Sequence, residues 1–418
     1  MKENQYFAFG YLISMAVVLP WSNAFMNILI FGGILFIIQN AIIDKRIFSR
    51  LKKASLLFYL CLAFIGMILL NGVLLNDPKG FHYVLRMLTV LILPVMMKIM
   101  IGKTTDNQIR KIINLYIHSV SILCLASLLI AISGMVLKAN TVLTLKDIAY
   151  TNLSSVLVNH EPIYFSLFVG LAILLATSEF LSKKNSRKSL IYVVGVVFLL
   201  LFLFLLGSRT TILATFVSLG VLGIVRSRKF LVGLLLLFTI IFAVNYNYNS
   251  SFRLRIDYVI NFNTEFNFQE NWSYEGLAVR FMTWNCSLEG ISNHFWLGTG
   301  VSGAQDYLDN CFREHKYESL LFFTRENGAV FNSHNLYLDV FLKLGVFGFV
   351  LLMTILILIL YKSSRYKNIH LLLILTFFMV NGLTESVLVR EKGIMLFTFF
   401  FGLFLCYNPK QPKITITK

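Results

Sequence analysis

Charge is scarce in this chain. Only 14% of its 418 residues are Asp, Glu, Lys or Arg, against 57% hydrophobic. A water-soluble globule of this length needs far more polar surface, so the apolar excess must face lipid. Internal repeats and low-complexity tracts are also missing, which excludes a repeat array or a string of modules. The pI near 9.6 comes with no basic stripe interleaved with aromatics, so nucleic acid is excluded as a partner. There is no Asp-x-Asp pair, no His-x-x-x-His and no carboxylate cluster at metal-ligand spacing. Metal-dependent chemistry therefore has no support in the sequence.

What is present is a succession of apolar stretches, about twelve, each near the ~20 residues that cross a bilayer as helix. They run approximately over 6–24, 25–43, 54–75, 84–101, 112–135, 162–181, 189–207, 211–225, 230–246, 335–361, 369–384 and 393–407. The fold expected is an all-α polytopic membrane protein. Lys and Arg collect in alternate connections: Lys45 to Lys53, Lys103 to Lys111, Lys183 to Lys188, Arg226 to Lys229, and Lys362 to Lys367. By the positive-inside rule these connections, and both termini, are cytoplasmic. The first stretch has no small-x-small cleavage site and a second span follows at once, so it reads as a retained helix.

One long connection escapes the pattern. Residues 247–333 carry six basic and ten acidic side chains within a chain of net charge +17. The chain thus divides into spans over 1–246, a large extracytoplasmic lobe over 247–333, and further spans with a cytoplasmic tail over 334–418. In the lobe, Leu277, Phe281, Trp284, Leu288 and Ile291 recur at helical spacing and line one helix face. Asn293 to Leu297 reads as an interfacial break rich in aromatics. Gly298-Thr299-Gly300-Val301-Ser302-Gly303 has dinucleotide-binding spacing, but no strand of a βαβ unit precedes it, so a flexible turn opening a second helix is expected. Cys286 and Cys311 share the lobe; a disulfide and two unpaired thiols are both open.

Chemistry should lie where charge meets the outer membrane boundary. Arg209 sits in the tight turn Leu206-Gly207-Ser208-Arg209-Thr210, on the side where basic anchors are not expected; a snorkelling anchor is the competing reading. Arg280 borders the lobe helix's apolar face, where a salt-bridged surface arginine is the alternative. His334 stands where the lobe re-enters the membrane, between Asn332 and Asn335, whose amides could orient its ring. Imidazole exchanges a proton near neutral pH, although a lone interfacial histidine is often structural. Two arginines and a histidine on one side suggest an anionic, phosphorylated ligand and a proton-transfer step.

These residues lie in motifs that resemble the O-antigen ligase and polymerase superfamily. The motifs are Gly207-Ser208-Arg209-Thr210; Arg280-Phe281-Met282-Thr283-Trp284 with Leu297-Gly298-Thr299-Gly300; Asn332-Ser333-His334-Asn335-Leu336-Tyr337-Leu338 with Gly345-Val346-Phe347-Gly348; and Thr384-Glu385-Ser386 with Arg390 and Gly393. The likeness covers roughly 159–404, with the first third alike only in hydropathy. It implies a multi-pass glycosyltransferase of the bacterial inner (cytoplasmic) membrane, its active site facing the periplasm. The donor would be an undecaprenyl diphosphate-linked glycan and the acceptor a hydroxyl of lipid A–core oligosaccharide. By the same likeness Arg209 and Arg280 would hold the diphosphate and His334 would deprotonate the acceptor. Glu385, Arg390, His160 and Asn335 would be secondary contributors, with no metal and no cofactor.

An O-antigen polymerase uses the same donor, and motifs around the donor site do not separate it from a ligase. A protein O-glycosyltransferase is a third enzymatic reading. A lipid-linked oligosaccharide flippase would also have about twelve spans, but it favours internal repeats and broken helices at the midplane. The spans here are mostly uninterrupted, with Arg86 inside the fourth and Asp339 and Lys343 near the start of the tenth.

Overall fold

Runs of Leu, Ile, Val and Phe that face lipid have no water to satisfy their backbone groups, so those groups must pair within helices. The computed structural model describes residues 2–43, 56–74, 78–101, 105–136, 150–158, 160–182, 188–248, 253, 257, 276–327 and 330–407, and among them it holds helices and no strand. In chain order these are α1 (Lys2–Val18), α2 (Asn23–Ile43), α3 (Leu56–Leu74), α4 (Pro78–Met87), α5 (Thr89–Ile101) and α6 (Asp106–Val136). Then come α7 (Thr151–Val158), α8 (Pro162–Ser182), α9 (Lys188–Leu206), α10 (Arg209–Arg226) and α11 (Arg228–Tyr248). The lobe contributes α12 (Gly276–Asn293), α13 (Val301–Glu314) and α14 (Glu318–Asn327). The chain returns through α15 (Leu336–Arg365), α16 (Ile369–Gly382) and α17 (Glu391–Cys406).

The helical membrane class is as expected; the number of spans is not reached. Six helices among the described residues are long and apolar enough to cross a membrane, and Tyr6–Val18, Asn23–Phe36, Leu190–Leu206 and Ile369–Gly382 are shorter apolar helices. Two boundaries move for evident reasons. The first helix ends at Val18, because a proline at position 20 cannot continue it. The expected span 84–101 matches the candidate span Gly80–Ile99, which is interrupted at Leu88 and so is built from α4 and α5. Most of the connection 136–161 and the lobe's segment 258–275 lie outside the described residues.

The bundle is organised around α8, which packs on α6, α9, α10 and α16. Its apolar residues run almost without a polar interruption, and nearly all of them are buried. Gly170 on α8 lets Thr215 and Phe377 approach so closely that a Cβ would meet both at 2.8 Å. That contact draws α10 and α16 onto one helix.

One expectation is overturned inside α15. This span is broken at Gly345, which has φ 65° and ψ −168°. The broken helical hydrogen bonds are taken over by the Gly-rich segment of the lobe. Thr299 N–H donates to Leu342 O at 2.8 Å, Gly300 N–H to Lys343 O at 3.0 Å, and Val346 N–H to Phe295 O at 2.8 Å. Gly298 and Gly345 meet backbone to backbone: a Cβ at Gly345 would lie 2.2 Å from Trp296 O, and one at Gly298 would lie 2.6 Å from Gly345 N. The segment read as a flexible turn is therefore pinned, because only glycine allows this approach.

The lobe also packs differently from its apolar spacing. Of the expected stripe only Ile291 is buried; Leu288 is exposed, and the buried face is Ala278, Met282, Thr283, Cys286, Ser287, Gly290 and Ile291. Small side chains win because α12 lies close against α13, where Cys286 and Cys311 form a disulfide with Cα atoms 5.8 Å apart. Phe295, Trp296 and Leu297 are exposed together, as an interfacial break requires.

Candidate functional site

Arg280 sits on the first turns of α12, and each of its guanidinium nitrogens has a partner. Nε donates to Thr384 O at 3.1 Å, Nη1 to Gly276 O at 3.0 Å, and Nη2 to Glu385 Oε1 at 3.0 Å. The planar fork is thus fixed between the lobe and the connection joining α16 to α17. The Arg280 side chain keeps 23% of its surface exposed while Glu385 keeps 8%. One face of the cation remains open.

Glu385 presents its other oxygen to His334, with Oε2 3.6 Å from Nδ1. That separation lies just beyond a hydrogen bond, yet it aims a carboxylate at one edge of the imidazole and leaves the Nε2 edge for another partner. His334 has φ 42°, in a region side chains seldom occupy. Asn332 Oδ1 accepts from His334 N–H at 2.8 Å and holds this turn. Asn335 caps α15, its Oδ1 accepting from Tyr337 and Leu338 N–H and its Nδ2 donating to Leu383 O. Neither amide bonds to the ring among the described residues, and the Glu385 carboxylate is the charged group that faces it. His334 Nδ1 itself and the buried hydroxyls of Ser333 and Ser386 have no hydrogen-bond partner among the described residues.

Arg209 is the exposed first residue of α10, following Gly207 at φ 66°. A ladder of polar side chains links its turn to the rest of the site. Ser208 Oγ donates to Thr211 Oγ1, and Thr211 Oγ1 to Asn381 Oδ1 at 3.0 Å. Thr210 and Thr384 share a hydroxyl hydrogen bond, and the Thr384 carbonyl is the one that accepts from Arg280. The turn of Arg209, Arg280, Glu385 and His334 are therefore one connected cluster. Thr211 and Asn381 carried no signal in the sequence, since each looks like an isolated polar residue in an apolar helix.

The other two expected contributors stand apart. Arg390 pairs loosely with Glu161 at 3.5 Å, both more than half exposed. It also lines a chamber of about 450 Å³ with Gln305, Asn332, Asp339 and Lys343. Asp339 and Lys343, the charges noted in the tenth span, pair with each other at 2.7 Å and so are neutralised where water is scarce. His160 is buried, with Nε2 2.7 Å from Pro20 O and its ring stacked on Phe168. Burial pushes its imidazole down to about 4, with Lys392 adding to the shift. No contact joins it to Arg280, Glu385 or His334 among the described residues.

Among the described residues, Glu289, Cys311 and His315 are close enough to share a metal ion. Cys311 is committed to its disulfide, however, and His315 Nε2 already meets Glu289 Oε2 at 2.8 Å. Two remaining donors are too few for a structural zinc site.

The cluster sets a guanidinium that can meet an anion and an imidazole that can take a proton on the two oxygens of one carboxylate, with the turn that carries Arg209 joined to them. Residues 194–353 match the family model described as O-antigen ligase. The matched segment contains Arg209, Arg280 and His334 and stops before Glu385. Over this part of the chain, the likeness read from the motifs therefore holds. No curated protein matches the chain.

Proposed function

With both arginines and the histidine inside a segment similar to the O-antigen ligase family, we propose that the protein is a membrane glycosyltransferase of that kind. It takes a glycan from undecaprenyl diphosphate and joins it to a hydroxyl of lipid A–core on the periplasmic face of the inner membrane. The six long spans and four shorter apolar helices make ten crossings, and α11 and α17 would complete about twelve, which would bring the lobe and the site to that face. The observation that carries this reading is the shared carboxylate of Glu385, which ties the cation Arg280 to the base His334.

In this reading the diphosphate lies against Arg209 and Arg280. The acceptor approaches His334 from the chamber beside Asn332. Nε2 takes the hydroxyl proton as the oxygen attacks the anomeric carbon. The bond from that carbon to the phosphate oxygen breaks, and its electron pair leaves with the diphosphate. The arginines match this developing charge, so the leaving group needs no proton. Glu385 Oε2, closing from 3.6 Å as substrate binds, would accept from Nδ1–H, keep the Nε2 lone pair free and face the imidazolium as it forms.

The test supplies purified protein with a lipid-linked glycan and two acceptors, lipid A–core and a second carrier-linked glycan. Glycan appearing on lipid A–core supports the ligase reading. Elongation of the carrier-linked glycan alone would replace it with a polymerase.

A further inference from the structure

The disulfide of the lobe lies inside a wider set of donors. Cys286 and Glu289 stand three residues apart on α12, and Cys311 and His315 stand four apart at the end of α13. His315 caps that helix and keeps its N–H on Cys311 O at 2.9 Å, so each helix presents two donors on one face. The helices pack against each other, with the disulfide Cα atoms 5.8 Å apart. Glu289 Oε2 meets His315 Nε2 at 2.8 Å and lies 3.8 Å from Cys311 Sγ. The ligand atoms of Glu289, Cys311 and His315 all fall within 4.8 Å of one another. In the oxidised lobe the two sulfurs hold each other, which leaves one oxygen and one nitrogen.

Reduction changes that count. Opening the bond frees two sulfurs beside the carboxylate and the imidazole, and two Cys, one His and one Glu make the four donors of a tetrahedral zinc site. Two Zn–S bonds of ~2.3 Å at the tetrahedral angle put the sulfurs about 3.8 Å apart, a separation that fits Cα atoms at 5.8 Å. The surroundings suit a metal. Tyr307 donates its hydroxyl hydrogen to Glu289 Oε1 at 3.3 Å and leaves Oε2 to face the other donors, the part an outer partner plays for a ligating carboxylate. Both cysteines are buried, while Glu289 and His315 are a little over a third exposed, so an ion can enter from solvent on their side.

We propose that the reduced lobe binds one zinc ion through Cys286, Glu289, Cys311 and His315, so that the corner between α12 and α13 is held either by a disulfide or by a metal. A dithiol opens the bond: its two sulfurs close on each other as a disulfide, and its two hydrogens pass to Cys286 and Cys311. Zn²⁺ then displaces both thiol protons and takes the thiolates, the carboxylate and His315 Nε2. All four positions are filled by protein, so this zinc is structural and leaves no position for water or substrate. The site does not depend on the reaction assigned to His334.

Cobalt(II) followed by zinc, added to the full chain in detergent, tests this. The chain is first reduced with a phosphine, which takes oxygen from water and leaves as its oxide, and the excess is removed. The reduced wild type should take one cobalt per chain, with the visible bands of a tetrahedral ion and a thiolate charge-transfer band, and one zinc should displace it. The oxidised chain, which keeps Cys61, Cys124 and Cys406 as thiols, should take none. His315→Ala and Glu289→Gln should each weaken binding by about 10²-fold or more, and Tyr307→Phe by about 10-fold. The site is overturned if the reduced chain binds no more cobalt than the oxidised one, if the charge-transfer band is missing, or if His315→Ala and Glu289→Gln bind as the wild type does. A bond that phosphine and dithiol both leave closed in the folded chain, read by thiol counting, overturns it as well. The comparison of the two wild-type states needs no variant, so it stands even if a variant fails to fold.

Discussion

Arg280 and His334 never touch, yet one carboxylate serves both: Glu385 gives Oε1 to the guanidinium at 3.0 Å and turns Oε2 toward the imidazole at 3.6 Å. A guanidinium and an imidazole are thus placed on either side of a single buried side chain. Moving either partner disturbs the other. Three consequences of this arrangement can be measured.

Arg280→Lys should nearly abolish transfer even though charge is conserved. An ammonium cannot reach Thr384 O, Gly276 O and Glu385 together as the fork does. The expected loss is ~2–4 kcal/mol of transition-state stabilisation, by analogy with a removed oxyanion donor. Transfer rates of purified protein, normalised to folded protein, check it. Near-normal turnover would take Arg280 out of the site.

Glu385→Gln should lower turnover by about 10²-fold or more, because an amide can stabilise the wrong imidazole tautomer and does not match the imidazolium charge. Donor affinity should fall much less than turnover. Equal losses in both would make Glu385 a partner of Arg280 alone.

His334→Ala should still bind the lipid-linked donor and fail to transfer it, losing roughly 10²–10⁴-fold in rate. The left-handed backbone at this position gives a control. His334→Asn tolerates the same φ and supplies no comparable base, so it should fold well and remain inactive. Wild-type transfer by well-folded His334→Asn protein would end the catalytic reading.

His160 makes a prediction about stability. Its imidazole titrates near 4 when folded and near the ordinary 6.5 when unfolded. The unfolded chain therefore binds the proton first as pH falls. Stability from this residue is complete above 6.5, declines between 6.5 and 4, and is flat below. The decline should amount to ~3 kcal/mol. Thermal unfolding in detergent across that window, compared with His160→Gln, isolates the contribution. Parallel curves for the two proteins would contradict the burial argument.

The disulfide should leave only Cys61, Cys124 and Cys406 as titratable thiols in denatured, unreduced protein. Replacing Cys286 and Cys311 by serine should weaken the lobe by about 3 kcal/mol in the chain-entropy account. Thiol counting before and after reduction checks the bond, and proteolysis of the lobe checks its effect. Five titratable thiols without reductant would refute it.

What the sequence made legible follows from periodicity and charge. Apolar runs located most helices, because a lipid-facing helix must be apolar over nearly its whole length. Arg209, Arg280 and His334 stood out as polar residues at the membrane boundary, and the structure brings the first turn of α10 and the other two side chains together. Thr211 and Asn381, which join these parts, could not be read, because an isolated threonine or asparagine in an apolar helix carries no sign of its partner. The buried face of α12 was misjudged for a related reason. Leu288 and Trp284 look like core by spacing, whereas the tight approach of α13 selected Ala278, Ser287 and Gly290. The break in α15 was equally hidden, since Gly345 alone does not show that Gly298 lies against it.

The contact between Gly298 and Gly345 makes the lobe a bracket and not a lid. Its α12–α13 corner is stitched into a membrane helix by backbone atoms, so it cannot swing aside without dragging the outer turns of α15, which begin next to His334. If the substrate is a long glycan, any widening to admit it comes from elsewhere on the rim, while the corner nearest His334 stays put. A substrate of any length would then meet the same geometry at its reacting end.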